Sequence, residues 1–175
     1  MSLTRFVAVI ALACGLSPVA FRLHAQSDHS IDVPTGDPMM VAAFAKARAS
    51  LDDFLTKLSH PPLGTSGYSV KVGIKDGPTP GGFSISHPEE GNNEFFWIVN
   101  VRSSSAGFLG EIGNAPDRIK NVRNGQTISF RRGDIADWMY FESGKMKGNY
   151  TACPALMHGP REELEMMRKR YGLEC

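Results

Sequence analysis

The apolar residues between positions 37 and 62 recur at the spacing of an α-helix. Asp37 is a residue type that caps helices, and Pro38 suits a first helical turn. Pro61 and Pro62 end the pattern, because proline cannot continue a helix. The stripe predicts an N-terminal helix with one face packed into a core, formed by Met40, Phe44, Ala47, Leu51, Phe54, Leu55 and Leu58.

From residue 67 the period changes to two, as in β-strands, and one face of the first strand carries Tyr68, Val70, Val72 and Ile74. The segment EFFWIVNV is apolar on both faces, which predicts a central buried strand. Further strands are predicted at GFLGEI, QTISFRR and GNYTAC. Residues 76–93 are rich in glycine and proline and predict a mobile insertion at the surface.

The segment GPREELEMMRKRYGL near the end of the chain predicts a closing helix with Pro160 in its first turn. The succession of elements predicts an α+β fold. We expect an N-terminal helix, a compact antiparallel sheet or small open barrel of about five to six strands, and a C-terminal helix. The domain should span residues 37–175, preceded by a flexible lead-in over residues 26–36.

The first 25 residues have the layout of a secretory signal peptide. A short basic start precedes an apolar stretch, and the small residue Ala25 offers a cleavage site. Gly15 and Pro18 interrupt the apolar stretch, so a stable membrane span after cleavage is not expected. A lipoprotein that uses Cys14 is the weaker alternative. The predicted location is the periplasm or the exterior.

Charge and cysteine content narrow the class of partner and the redox environment. A net charge of +1 over 175 residues argues against a nucleic-acid partner recognised through a broad basic face. Cleavage of the signal peptide would remove Cys14 and leave Cys153 and Cys175. An even pair of cysteines in an exported protein predicts a disulfide.

The segment GDIADWMYF places Asp137 directly before Trp138 and is the strongest candidate for chemistry. An apolar wall beside a carboxylate raises its pKa, as catalysis can require, but aspartate also satisfies backbone amides in turns. We expect Trp138 in the core and Asp137 bonded to amides of its own turn. A catalytic role stays open, with Glu94 and Lys71 as the other weak candidates.

No sequence pattern calls for a metal or a cofactor, and none is predicted. His87 lies near Glu89 and Glu90, but inside the insertion predicted to be mobile, whereas metal sites need rigid ligands.

The chain resembles the DUF2314 (YegJ-like) family of bacterial proteins over about residues 41–153. The resemblance rests on AKARASLDDFL, VKV, EFFWIVNV, FLGEIGNAP, IADWMY and GKMKGNYT. The signature positions are Gly110, Asn114, Pro116, Trp138, Gly148 and Tyr150. The resemblance implies a small α+β domain and supplies no reaction. The insertion, the signal peptide and the C-terminal cysteines depart from the family pattern and indicate an exported subset.

Three classes of function remain open from the sequence. The first is a non-catalytic protein that binds another protein of the cell envelope, such as an immunity or inhibitor protein against a delivered toxin. Its expected contacts are Arg132, Tyr140 and Phe83, because arginine and aromatic residues dominate interfaces. The second is a housekeeping envelope protein of structural or stress role. The third is a hydrolase or transferase that uses Asp137.

Overall fold

A computed structural model describes residues 31, 33–34, 36–78, 82–88, 90 and 93–175. The predicted signal peptide over residues 1–25, with Cys14, lies outside the described residues. Most of the predicted lead-in over residues 26–36 also lies outside them, as do Glu89 and five other positions of the insertion.

The described residues form an α+β fold around one antiparallel sheet, which confirms the predicted class. The helices are α1 (Pro38–Ala49), α2 (Leu51–Ser59), α3 (Ala152–Met157) and α4 (Arg161–Tyr171). The strands are β1 (Thr65–Asp76), β2 (Phe83–Ser86), β3 (Glu94–Ser104), β4 (Gly107–Ile112), β5 (Thr127–Phe130), β6 (Ile135–Glu142) and β7 (Lys145–Gly148). A short 3-10 helix spans Arg132–Asp134. The sheet order is β5-β4-β3-β1-β6-β7, and β2 also pairs with β1.

The predicted N-terminal helix begins where the sequence indicates but is divided in two. The Asp37 carboxylate accepts a hydrogen bond of 2.8 Å from the amide of Met40, and Pro38 lies in the first turn. At Ser50 the side-chain hydroxyl donates to the carbonyl of Lys46, 2.8 Å away. A serine that bonds back to the preceding turn competes with the helical backbone, and α1 ends here and α2 begins.

One face of the sheet packs on the helices and forms the main core. The Phe54 ring of α2 stacks on Trp138 of β6 with ring centroids 5.0 Å apart. The Trp138 indole N–H donates to the carbonyl of Ala47, 3.1 Å away, so the buried polar atom is satisfied. The expected burial of Trp138 is therefore found. Fully buried strand residues on this face include Val70, Val72, Ile74, Phe96 and Ile98.

Two sequence predictions about local structure need correction. The insertion over residues 76–93 contains a strand, β2, that pairs with β1 from Gly73↔Ser86 to Asp76↔Phe83. The segment GNYTAC is not a strand: it contains the end of β7, a turn and the start of α3. Gly148 and Asn149 have φ values of 78° and 53°, and two consecutive left-handed residues end the extended backbone.

The two C-terminal helices pack together as a second apolar cluster beside the main core. Its buried members are Ala152, Leu156, Met167 and Leu173. The disulfide joins Cys153 to Cys175, the pair predicted from the sequence, with Cα atoms 5.4 Å apart. The bond therefore attaches the end of the described chain to the start of α3.

Candidate functional site

Trp97, Lys71 and Asp137 lie side by side across three neighbouring strands. Lys71 of β1 is opposite Trp97 of β3 on one side and opposite Asp137 of β6 on the other. Side chains directly opposite each other project from the same face of a sheet. Because Val70 and Val72 flank Lys71 and face the core, the three residues lie on the face turned away from α2.

A β-bulge in β6 lets Ile135 and Trp138 share the core face. Lys71 pairs with Asp137, but the next residue of β1, Val72, pairs with Ile135, so Ala136 is the extra residue. Trp138 lies three positions after Ile135, and regular alternation would place residues an odd number of positions apart on opposite faces. The bulge lets both enter the core while Asp137 points to the other face.

The Asp137 carboxylate is 0% exposed and accepts three hydrogen bonds. Oδ2 accepts from the Thr151 amide at 2.8 Å and from the Thr151 hydroxyl at 2.7 Å. Oδ1 accepts from the Trp138 amide at 2.8 Å. The expectation that Asp137 bonds amides of its own turn is thus only partly correct, since it lies in a strand and its other amide donor follows β7.

Lys71 completes the cluster through the same threonine. Its Nζ donates to Thr151 Oγ1, 2.6 Å away, while that hydroxyl donates to Asp137. The ammonium also lies 4.6 Å from the centroid of the Trp97 ring, in cation–π contact. Thr151 therefore connects the lysine to the aspartate, and we call Lys71, Trp97, Asp137 and Thr151 the polar cluster.

Burial shifts both ionisable groups of the polar cluster towards their neutral forms. Desolvation lowers the pKa of Lys71, and the nearby charge of Asp137 opposes that shift. Desolvation likewise raises the pKa of Asp137, against the charge of Lys71 and the hydrogen bonds from Thr151 and Trp138. Each group thus stabilises the charged form of the other in a poorly hydrated site.

The polar cluster holds the segment after β7 against strand β6. Tyr150, next to Thr151, packs edge-on against Trp138 with centroids 5.5 Å apart. Gly148 has a φ of 78°, and a Cβ atom there would come within 2.5 Å of the Trp138 ring. The signature glycine is therefore required by both backbone conformation and space.

Glu94 does not join the polar cluster. Glu94, Phe96 and Ile98 occupy every second position of β3, so their side chains share the core face. Glu94 is 2% exposed. Its carboxylate accepts hydrogen bonds of 2.8, 2.9 and 3.0 Å from the backbone amides of residues 117, 118 and 119. The three predicted catalytic candidates are thus divided: Asp137 and Lys71 meet, while Glu94 holds a different loop.

The expected binding residues do not form one exposed surface. Tyr140 is 5% exposed and stacks on Tyr68 with centroids 5.0 Å apart, so its place at a binding surface was wrong. Tyr140 lies two residues after Trp138 in β6, so both side chains project from the core face. Phe83 is partly buried against the main core and is no free loop anchor. Arg132 is exposed and forms an ion pair of 2.7 Å with Asp52.

The signature residues of the FLGEIGNAP segment shape the packing of β3 and β4. A Cβ atom on Gly110 would come within 2.5 Å of the Ile98 side chain. The Asn114 side-chain oxygen accepts a hydrogen bond of 2.9 Å from the amide of Trp97. Pro116 is partly buried in the loop that follows β4. Asn114 thereby fixes the backbone that carries Trp97 to the polar cluster.

Sequence reasoning missed Trp97 and Thr151 as members of the site. Trp97 was included as an apolar residue of a central strand and within the family resemblance, and Thr151 as part of the segments GNYTAC and GKMKGNYT. A usable signal existed, since the four residues come from four of the segments on which the family resemblance rests. In the fold, these four segments contact one another through the polar cluster.

The described residues contain no group of three or more His, Cys, Asp or Glu side chains arranged to hold a metal ion. His87 stands on the exposed surface just after β2. Among the helices of the described ranges, none has the length and apolar character that crossing a membrane requires.

Comparison with known proteins identifies the family. Residues 37–174 match the family model described as "Uncharacterized protein conserved in bacteria (DUF2314)". The chain is 32% identical over 131 residues to "Uncharacterized protein YegJ" of Escherichia coli (strain K12), covering 75% of this chain and 76% of that protein. No solved structure matches significantly. The chain belongs to the DUF2314 family.

Proposed function

We propose that this DUF2314 protein is an exported, non-catalytic binding protein that acts on another protein of the cell envelope. One observation carries the proposal: both buried carboxylates are engaged by the protein's own backbone. Asp137 accepts from the amides of Thr151 and Trp138, and Glu94 accepts from three amides of the loop after β4. A general acid or base must instead exchange a proton with a substrate.

The engaged carboxylates support binding because they make surface segments rigid. Glu94 holds residues 117–119, and Asp76 accepts from the amides of Lys120 and Asn121 at 3.1 Å each. A preorganised loop loses less conformational entropy when a partner docks. Glu94 and Asp76 thus hold the backbone of residues 117–121 in one conformation that a partner can recognise.

The disulfide supports the exported part of the proposal. Cys153 and Cys175 are joined, and disulfides persist mainly in oxidising compartments such as the periplasm. The signal-peptide layout of residues 1–25 is an independent argument for the same location. An immunity or inhibitor protein against a delivered toxin is the form of the function that suits a small, disulfide-stapled binding domain.

Export is tested by expressing the full chain in a bacterium and sequencing the N-terminus of the purified product. We expect the mature protein to begin near Gln26 and to fractionate with the periplasm. Recovery of an intact N-terminus from the cytoplasm would contradict the exported reading.

Binding is tested by in-cell photo-crosslinking from an exposed position, Arg132, with Glu162 of α4 as a second position for comparison. We expect one envelope protein to crosslink from one position more than from the other, and excess unlabelled mature protein to compete. Absence of any saturable crosslink would contradict the proposal. Turnover of an envelope substrate by the purified protein, lost in a folded Asp137→Asn variant, would replace it with a catalytic one.

A further inference from the structure

Strand β5 forms one outer edge of the sheet and is unpaired on its far side in the part of the chain that the structure describes. The carbonyl of Gln126 accepts from the amide of Ile112 in β4, 3.0 Å away. Backbone N–H and C=O groups alternate in direction along a strand. Those of Ile128 and Phe130 therefore also point towards β4, and those of Thr127 and Ser129 point outward, away from the sheet. Both outward residues are exposed.

The backbone groups after β5 bond within the turn that follows the strand. The Arg131 amide donates to the Asp134 carboxylate at 2.7 Å, and the Asp134 amide donates to the Arg131 carbonyl at 3.0 Å. Among the described residues, no hydrogen bond of this kind is made by the backbone groups of Thr127 and Ser129. Their N–H and C=O groups therefore offer a short ladder to an added strand.

Positive charge is concentrated around this edge. Residues 117–134 include five basic residues and two acidic ones, Asp117 and Asp134, whereas the whole chain has a net charge of only +1. Arg132 is ion-paired with Asp52. Arg123 precedes β5 and Arg131 follows it, and both are exposed. An extended segment laid along β5 would thus meet a cation at each end.

The opposite edge of the sheet differs in a way that favours recognition at β5. Strand β7 carries Lys145 and Lys147 within the strand itself, a common protection of an edge against pairing. The sequence of β5, TISF, contains no charge, and its cations lie outside the strand. The cations that flank β5 therefore leave its backbone groups free to pair with an added strand, and they favour a strand that carries negative charge.

We propose that β5 is a strand-addition site for an extended acidic segment of a partner protein. This inference rests on the proposed binding function and names the chemistry of its partner. The backbone groups of Thr127 and Ser129 would pair with the segment, and carboxylates near its ends would meet Arg123 and Arg131. Charge complementarity favours an acidic segment over a second copy of this chain, whose own β5 edge is equally basic.

The test uses the mature protein and two short synthetic peptides, one alternating glutamate with valine and the other alternating lysine with valine. Backbone amide exchange is followed by NMR at millimolar peptide. We expect the acidic peptide to slow exchange at Thr127 and Ser129, and the basic peptide to leave it unchanged. Joint replacement of Arg123 and Arg131 by Ala should weaken acidic-peptide binding about tenfold, as for two exposed ion pairs.

The matched control replaces Arg161 and Lys169 of α4 by Ala, which changes the net charge equally and should leave binding unchanged. Ser129→Pro removes one outward amide and should abolish protection, with folding checked by thermal unfolding. The proposal is overturned by equal protection with both peptides, by no protection with either, or by peptide-free self-association through β5. A crosslinked envelope partner that survives Ser129→Pro would refute this site and leave the proposed function standing.

Discussion

Asp137 and Thr151 are joined by two hydrogen bonds, although 14 residues separate them in the chain. The amide and the hydroxyl of Thr151 donate to the same carboxylate oxygen at 2.8 and 2.7 Å. The hydroxyl also accepts from Lys71, so the pair connects β1, β6 and the segment that leads into α3. Loss of either partner should therefore affect several elements together.

Asp137→Asn should destabilise the fold by about 3 kcal/mol, since it leaves the partly buried Lys71 without its anion and sets an amide against a Thr151 donor. Thr151→Val should cost less, about 1–2 kcal/mol, because only the hydroxyl is lost. The matched control is Asp134→Asn, a partly buried cap whose carboxylate accepts from the Arg131 amide, and this change should cost about 1 kcal/mol. Urea unfolding measures all three, and equal losses at Asp137 and Asp134 would contradict the role of the polar cluster.

Lys71→Met should make the stability of the protein more strongly dependent on pH. The variant lacks the cation that opposes the rise in the pKa of Asp137, so that pKa moves further above its unfolded value. A raised pKa in the folded state means that stability is fully present below the unfolded value, about 4, and is lost as pH rises through the folded value.

The corresponding measurement compares urea unfolding of Lys71→Met and the unmodified protein at a series of pH values from about 4 upward. The deficit of the variant should grow as pH rises. Lys169→Met, an exposed lysine of α4, is the matched control and should show no such growth. Parallel curves for Lys71→Met and the unmodified protein would show that Asp137 does not feel this lysine.

Gly148→Ala should be far more destabilising than Gly144→Ala, although both glycines have a φ of 78°. At Gly144 nothing lies within 4 Å of an added Cβ, so only the left-handed backbone is penalised, by about 1 kcal/mol. At Gly148 the added atom meets Trp138, and overpacking raises the cost to about 3 kcal/mol. Thermal unfolding of the two variants gives the comparison. Similar losses would mean that the turn can move away from Trp138.

Removal of the disulfide should loosen the C-terminal helices first. Cys153 and Cys175 are 22 residues apart, and closing such a loop in the unfolded chain is worth about 3 kcal/mol. In Cys153→Ser with Cys175→Ser, we expect faster amide exchange in α3 and α4 and little change in β1 and β3. Two free thiols in the unreduced, denatured protein would show that the bond does not form.

The sequence alone was sufficient where neighbouring residues decide the structure. The start of α1 follows from Asp37 and Pro38, whose effects reach only the first turn. The alternation of β1 and the apolar run of β3 identified a strand with one core face and a central strand. These features depend on local backbone preferences and on the period of apolar residues, both of which can be read from adjacent positions.

The tertiary structure decided which face each remaining residue occupies and which residues meet. A bulge at Ala136 brings Ile135 into the core, and regular pairing with β1 places Trp138 and Tyr140 on the core face and Asp137 on the other. Neither can be read from the sequence, because the register of β6 depends on its pairing with β1. The polar cluster likewise exists only because β1, β3, β6 and the segment before α3 converge. The sequence determined the residue types and the local elements, and long-range pairing determined the site.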